Sequence, residues 1–168
     1  MADNVTVSHE RPTTTVQIGI NGRSVTDTIE PRIKLSDFLR SHGTRSVRVG
    51  CEHGACGACS VIVDGDLVKS CLIYAVQADE STVETVEGLS DDDRLHPIPD
   101  AFHAEHALQC GFCTSGFIMA TKALLADEPD PDQSTIEAGL KGNLCRCTGY
   151  QPIYRAVKRS AAQLTEME

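Results

Sequence analysis

The sequence predicts an α+β chain of two small domains, a strand-rich half followed by an all-α half built as a four-helix bundle. Three observations carry that expectation. In the first half, two pairs of apolar runs are each joined at a tight-turn dipeptide, Asn21-Gly22 and Asp64-Gly65. From about residue 100 onward the apolar residues recur at helical spacing instead. The 8 cysteines fall into two quartets, one in each half. The dividing line is placed between residues 85 and 86, giving domains 1–85 and 86–168.

The elements follow in order. "TTTVQIGI" (13–20) is β-branched and partly alternating, and Asn21-Gly22 turns it into "RSVTDTIE", a hairpin. "IKLSDFLRSHG" sets Ile33, Leu35, Phe38 and Leu39 on one helical face and stops at Gly43. "SVIVDGDLVKSCL" is a second hairpin about Asp64-Gly65. Two hairpins around a short helix make an α+β unit to about residue 78. The acidic "ADESTVETVEGLSDDDRLHPIP", ending in Pro97 and Pro99, reads as the passage between domains. Four helical stretches follow. "DAFHAEHAL" starts at a candidate cap, Asp100, and "TSGFIMATKALLA" is apolar on one side. "STIEAGL" starts at Ser134 with Glu137 three residues on, and "IYRAVKRSAAQL" closes the chain.

The cysteines carry the chemistry. Cys51, Cys56 and Cys59 are spaced C-x4-C-x2-C with Cys71 beyond, the ligand order of a plant-type [2Fe–2S] centre. Gly54 and Gly57, interleaved among them, permit the backbone angles by which a loop aims successive N–H groups at sulfur. In the second half, Cys110 and Cys113 precede one helix as Cys145 and Cys147 precede another, whose Pro152 suits a first turn. Two helix starts that face each other would gather four sulfurs where free N–H groups favour an anion, by roughly 0.3–1 kcal/mol per terminus. Holding a thiol as thiolate at pH 7 costs roughly 2 kcal/mol, about 8 for four ligands, so a metal has to stabilise the set.

Alternatives stand beside that reading. Zinc also accepts four thiolates, and the second quartet's spacings tolerate it. A Rieske centre would use Cys51 and His53, but its second histidine would fall at Tyr74 and leave Cys56 and Cys59 without a role. Disulfides need an oxidising compartment that nothing in the chain indicates. Buried structural cysteines leave the paired spacings unexplained. His53 reads as a loop residue, and His96, His103 and His106 as solvated or capping positions. Asp91, Asp92 and Asp93 read as a solvated turn, and Phe117 and Met119 as helical core.

The formal charge of −9 and pI near 5.1 argue against nucleic-acid binding, which needs clustered cations. The opening residues are polar, with no apolar core of a secretory signal and no twin arginine. The apolar run from Gly116 to Ala126 is broken by Lys122 and is too short for a bilayer, so a cytoplasmic protein is expected. No serine–histidine–aspartate set, P-loop or dinucleotide glycine motif is present, so no place for substrate chemistry is visible.

"GCEHGACGACSVIVDGDLVKSCL", "QCGFCTSG" and "GNLCRCTGYQPI" together resemble the small iron–sulfur subunit of the molybdenum hydroxylases, the xanthine oxidase family. The resemblance runs from about Thr13 to Val157. It implies a β-grasp ferredoxin-like domain whose [2Fe–2S] cluster is held by Cys51, Cys56, Cys59 and Cys71. It implies a helical domain whose second [2Fe–2S] cluster is held by Cys110, Cys113, Cys145 and Cys147. It also places Gln109 and Cys147 against the pterin of a molybdenum cofactor. The implied role is electron transfer, from a molybdopterin-binding catalytic subunit through both clusters to FAD on a medium subunit. The assembly would be a dimer of heterotrimers, and the substrate an N-heteroaromatic compound. The same role in an aldehyde-, purine- or CO-oxidising enzyme, a stand-alone ferredoxin and a zinc-binding module are the alternatives. Each oxidised cluster with its thiolates adds about −2, taking the chain to roughly −13. The sequence departs from the family pattern at Ser115, where proline is usual, at Ser60, where threonine is common, and in the approach "GTRSVRVGC". No departure removes a ligand.

Overall fold

The computed structural model describes residues 11–90 and 94–167. The aspartates expected to form a solvated turn, 91–93, and most of the polar opening stretch lie outside the described residues. Strands β1 (Thr14–Ile20) and β2 (Arg23–Ile29) pair antiparallel, with Ile20 opposite Arg23. Asn21 and Gly22 both take positive φ, 48° and 79°, as a two-residue turn matched to strand twist requires. The second hairpin, β3 (Ser60–Val63) and β4 (Asp66–Lys69), turns the same way at Asp64 and Gly65. Helix α1 (Leu35–Ser41) lies between them and ends before Gly43, whose φ is 99°.

The acidic passage is where the structure differs from expectation. It contains β5 (Thr82–Glu84), which occupies the middle of a five-stranded sheet of order β2-β1-β5-β3-β4. β5 pairs parallel with β1 and antiparallel with β3. Both hairpin turns reach over to fix it. Asp64 Oδ1 accepts from Thr82 N–H at 2.7 Å, and the Asn21 side chain exchanges two hydrogen bonds with Thr85, 2.8 and 2.9 Å long. Val16, Ile18 and Ile20 alternate inward from β1 and pack with Val61, Val83, Leu35, Phe38, Leu39 and Ala75.

Helices α2 (Pro97–Ala104), α3 (Thr114–Asp127), α4 (Gln133–Leu140) and α5 (Gln151–Thr165) complete the chain. Ile98, Phe102, Phe117, Ile136, Leu140, Ile153 and Val157 form their common core. Helix α3 is buried nearly all round its first two turns because its other side covers strand β3. Phe117 and Met119 are accordingly core residues, as expected. Two helix starts differ from the reading. Helix α2 is capped by His96, whose Nδ1 accepts from Ile98 N–H at 3.2 Å, with Pro97 in the first turn. Asp100 instead accepts from Gln163 and ties α2 to α5. Helix α4 is capped by Asp132, which accepts from Thr135 N–H at 2.7 Å, while Ser134 merely buttresses that carboxylate. Among the described residues no helix is long and apolar enough to cross a membrane.

Candidate metal centres

All 8 cysteines are free thiols, gathered at two places. The first is the loop between α1 and β3, together with the 3₁₀ turn Ser70–Leu72 that carries Cys71 back from β4. Gly54 and Gly57 sit at φ 86° and 71°, in the left-handed region that the chain's wrap demands. Gly57 also has no room for a side chain, since a Cβ there would lie 2.5 Å from the Gly142 carbonyl, whereas one on Gly54 would lie 2.8 Å from Leu72 Cδ1, a side-chain end that can swing aside. The sulfurs are arranged in pairs, Cys51 with Cys56 and Cys59 with Cys71. Backbone N–H groups point at them. Cys56 N–H lies 3.4 Å from Cys51 Sγ, with those of His53 and Ala55 also directed at Cys51 and that of Gly54 at Cys71.

The second place lies at the starts of α3 and α5. Cys113 is the residue before α3, and Cys145 and Cys147 stand in the turn before α5. Cys110 Sγ and Cys147 Sγ are 3.6 Å apart, and Cys113 faces Cys145. Two thiolates bound at about 2.3 Å on one tetrahedral metal stand about 3.8 Å apart, so the separation fits a shared ion. Tyr150 sets the turn geometry. It enters α5 with φ 68°, its hydroxyl accepts from Cys145 N–H at 3.1 Å, and its ring packs on Phe117 and Tyr154. Thr148 Oγ1 donates to Cys145 Sγ at 3.1 Å.

These surroundings split the thiols electrostatically. N–H donors, led by Cys56's, pull Cys51 down to about 6, whereas burial pushes Cys71 up to about 11 and Cys113 up to about 12. The Phe112 N–H lowers Cys110. At Cys145 burial works upward, but the Thr148 hydroxyl and nearby N–H groups outweigh it and the thiol is lowered. Metal-free, the first quartet therefore sets Cys51 as a thiolate beside Cys71 as a thiol, and the second sets the lowered Cys110 and Cys145 beside the raised Cys113; a cationic centre would convert both sets to thiolates throughout.

Among the described residues no three histidine, cysteine, aspartate or glutamate side chains converge as a single ion would require. Two facing pairs per quartet, soft donors only, and converging N–H groups suit a two-metal sulfide-bridged centre instead. His53 is an exposed loop residue whose Nδ1 lies 2.6 Å from the Cys51 carbonyl. His103 and His106 are exposed as well.

The two quartets touch through backbone. Leu144 N–H donates to the Cys56 carbonyl at 2.9 Å, one residue before Cys145. Buried Asn143 donates to the Gly57 carbonyl at 3.1 Å, and Gly116 of α3 packs directly on Gly57. Nothing in the sequence pattern marks Asn143, because its partner lies 86 positions away. Two of the departures noted above also meet here. Ser115 Oγ donates to the Ser46 carbonyl at 2.7 Å, and Arg48 reaches the Gly111 carbonyl. On the outer surface Gln109, Cys110 and Cys147 are exposed in company with Leu108, Phe112 and Leu144, an apolar patch beside the second quartet.

The family described as the 2Fe-2S iron-sulfur cluster binding domain matches residues 18–90, and the [2Fe-2S] binding domain family matches residues 85–158. The 6-hydroxypseudooxynicotine dehydrogenase complex subunit beta of Paenarthrobacter nicotinovorans is 50% identical over 141 residues, 83% of this chain and 88% of that protein. The nicotine 6-hydroxylase small subunit of the same organism is 45% identical over 150 residues, 89% of this chain and 90% of that one. Among solved structures, quinoline 2-oxidoreductase from Pseudomonas putida 86 superposes with a TM-score of 0.88 at 40% identity, covering 92% of this chain and 97% of its counterpart.

Proposed function

This chain belongs to the family of small iron–sulfur subunits of the molybdenum hydroxylases, and from that premise we propose how its residues serve the electron-transfer role. Cys51, Cys56, Cys59 and Cys71 hold one [2Fe–2S] cluster, and Cys110, Cys113, Cys145 and Cys147 hold the other. The observation that carries this reading is the arrangement of each quartet as two facing thiol pairs, with Cys110 and Cys147 3.6 Å apart. Each cluster supplies a site that takes up one electron at a time. The polypeptide's share is to hold the thiolates, aim N–H groups at sulfur and keep the two loops in contact through Leu144 and Cys56. We read the first half, 1–85, as a β-grasp ferredoxin-like domain and the second, 86–168, as a four-helix bundle.

The exposed patch of Leu108, Gln109, Phe112 and Cys147 supports docking of the second cluster against the molybdopterin of the large subunit, with Gln109 meeting the pterin. The medium subunit carries FAD, and the complex is a dimer of heterotrimers in the cytoplasm. Nicotine and quinoline, named in two of the similar proteins, are N-heteroaromatic, which supports a holoenzyme that hydroxylates such a ring. The test is metal and sulfide analysis with electron paramagnetic resonance of the reduced protein. About four irons and four sulfides per chain and two distinct spin-half signals are expected. A colourless chain loaded with zinc would end the reading. Co-purification with two larger subunits checks the assembly, and a lone monomer of about the chain mass, 18.1 kDa, would favour a free-standing ferredoxin.

A further inference from the structure

Lys69 ends strand β4 two residues before Cys71, and its side chain folds back over the first cysteine loop. Nζ donates to Ser60 Oγ at 2.8 Å and to Asn143 Oδ1 at 3.3 Å. Those two groups pass their own hydrogens to one acceptor, the Gly57 carbonyl: Ser60 Oγ at 2.7 Å and Asn143 Nδ2 at 3.1 Å. The four groups close a ring in which each donor has an acceptor, so the lysine is held in place. Ser60 and Asn143 are buried and Lys69 is half-buried. None of the ion pairs among the described residues includes Lys69, so no carboxylate neutralises it. Burial works against its charge and lowers its pKa, while the sulfurs of Cys59, Cys56, Cys71 and Cys51 act in its favour. A cation drawn out of water without a carboxylate partner is sustained by whatever negative charge it faces, and here that is the first quartet.

We propose that Lys69 sets the reduction potential of the N-terminal cluster, raising it above what the same cysteine loop would give alone. This rests on the reading of Cys51, Cys56, Cys59 and Cys71 as cluster ligands. Reduction adds one electron to an already anionic centre, so a fixed positive charge beside it stabilises the reduced state more than the oxidised one. Lys69 is thus a positioning and tuning residue, tied to the second domain through Asn143, and bears on one cluster more than the other.

The experiment is a redox titration of the assembled complex followed by electron paramagnetic resonance, with the N-terminal signal identified as the one perturbed by Cys71→Ser. In Lys69→Met, which keeps the stem and removes the charge, the reduced-to-oxidised ratio of that signal at a fixed potential falls about tenfold, or 59 mV for a one-electron couple. The C-terminal signal moves less than half as far. Lys69→Arg retains the wild-type value within about threefold. Asn143→Asp, which sets a carboxylate against the ammonium, shifts the N-terminal signal in the same direction as Lys69→Met and decides the matter if that variant does not assemble. An N-terminal potential unmoved by both variants overturns the inference, as does an equal shift in Lys69→Arg and Lys69→Met. A wild-type complex without two signals defeats the cluster reading itself, and the role of Lys69 falls with it.

Discussion

Gly116→Ala tests the seam between the two domains. In an exposed helix interior this exchange stabilises by about 1 kcal/mol, because alanine is the better helix former. Gly116 lies in the first turn of α3 against the cysteine loop. A Cβ there would meet Gly57 C at 3.0 Å and Ala58 Cα at 3.1 Å, and the Gly57 carbonyl oxygen closer still, where ordinary contact begins at 3.4 Å. All three obstacles are backbone, so no rotamer change relieves them and the helix must retreat from the loop. Overpacking of this kind costs about 1–3 kcal/mol, and rigid neighbours place it at the upper end. After the propensity gain, a net loss of about 2 kcal/mol remains, roughly 4–8 °C in Tm for a chain of this size. Gly139→Ala is the control. Its nearest obstacles are the side-chain carbons of Leu124, Cδ1 at 2.9 Å and Cδ2 at 3.1 Å, which can swing away. Calorimetry of the metal-loaded chain separates the two. A Gly116→Ala variant melting at or above the wild type, or a Gly139→Ala variant falling as far, refutes the steric reasoning.

Cys145→Ser is expected to remove one of the two paramagnetic signals and to lower the melting temperature, since Cys145 is buried and anchored by Thr148 and Tyr150; unchanged unfolding would show that the centre does not brace the helices. In the folded, metal-free chain, alkylation followed by mass spectrometry should modify Cys51 readily at pH 7 and more slowly as pH drops through about 6, while Cys113, at about 12, stays largely protected. The lowered Cys51 stabilises that chain above the ordinary thiol value of 9.0, a contribution lost as pH falls through about 6; the raised Cys113 does the reverse, its contribution fading above 9.0 toward about 12. Equal labelling of both sites at pH 7 would contradict the assignment. Asn143→Ala strips hydrogen bonds from the Gly57 carbonyl and Lys69 and should cost about 1–3 kcal/mol, whereas Lys122→Ala breaks a surface pair with Glu84 worth less than about 1 kcal/mol. Thermal melts that rank the two the other way would show that the buried polar ring carries little.

The hairpins were legible because Asn-Gly and Asp-Gly impose their turns locally, and the gathering of the cysteines at two places because close spacing is a local constraint too. Strand β5 was not. It is three residues long and set in an acidic stretch, and what makes it a strand is its place between β1 and β3 and the reach of Asn21 and Asp64. Both missed caps have a single cause: several cap-forming residues lay within a few positions, and proline at the first turn of α2 and the Asp132 carboxylate at α4 decided between them. The pairing of sulfurs within each quartet depends on how loops meet in space, which spacing does not encode. Lys69 and Asn143 lay hidden for the same reason, being 74 positions apart.

The meeting of Ser115 with the Ser46 carbonyl, beside that of Arg48 with the Gly111 carbonyl, makes the two halves of this chain a matched set. A proline at 115 has no hydroxyl to offer Ser46, and a different approach to Cys51 has no guanidinium to offer Gly111. A chimera whose borrowed half brings proline to position 115, or no guanidinium to position 48, therefore inherits a lock cut for another key, and the loop around Ser46 and the turn around Ser115 are best transplanted together.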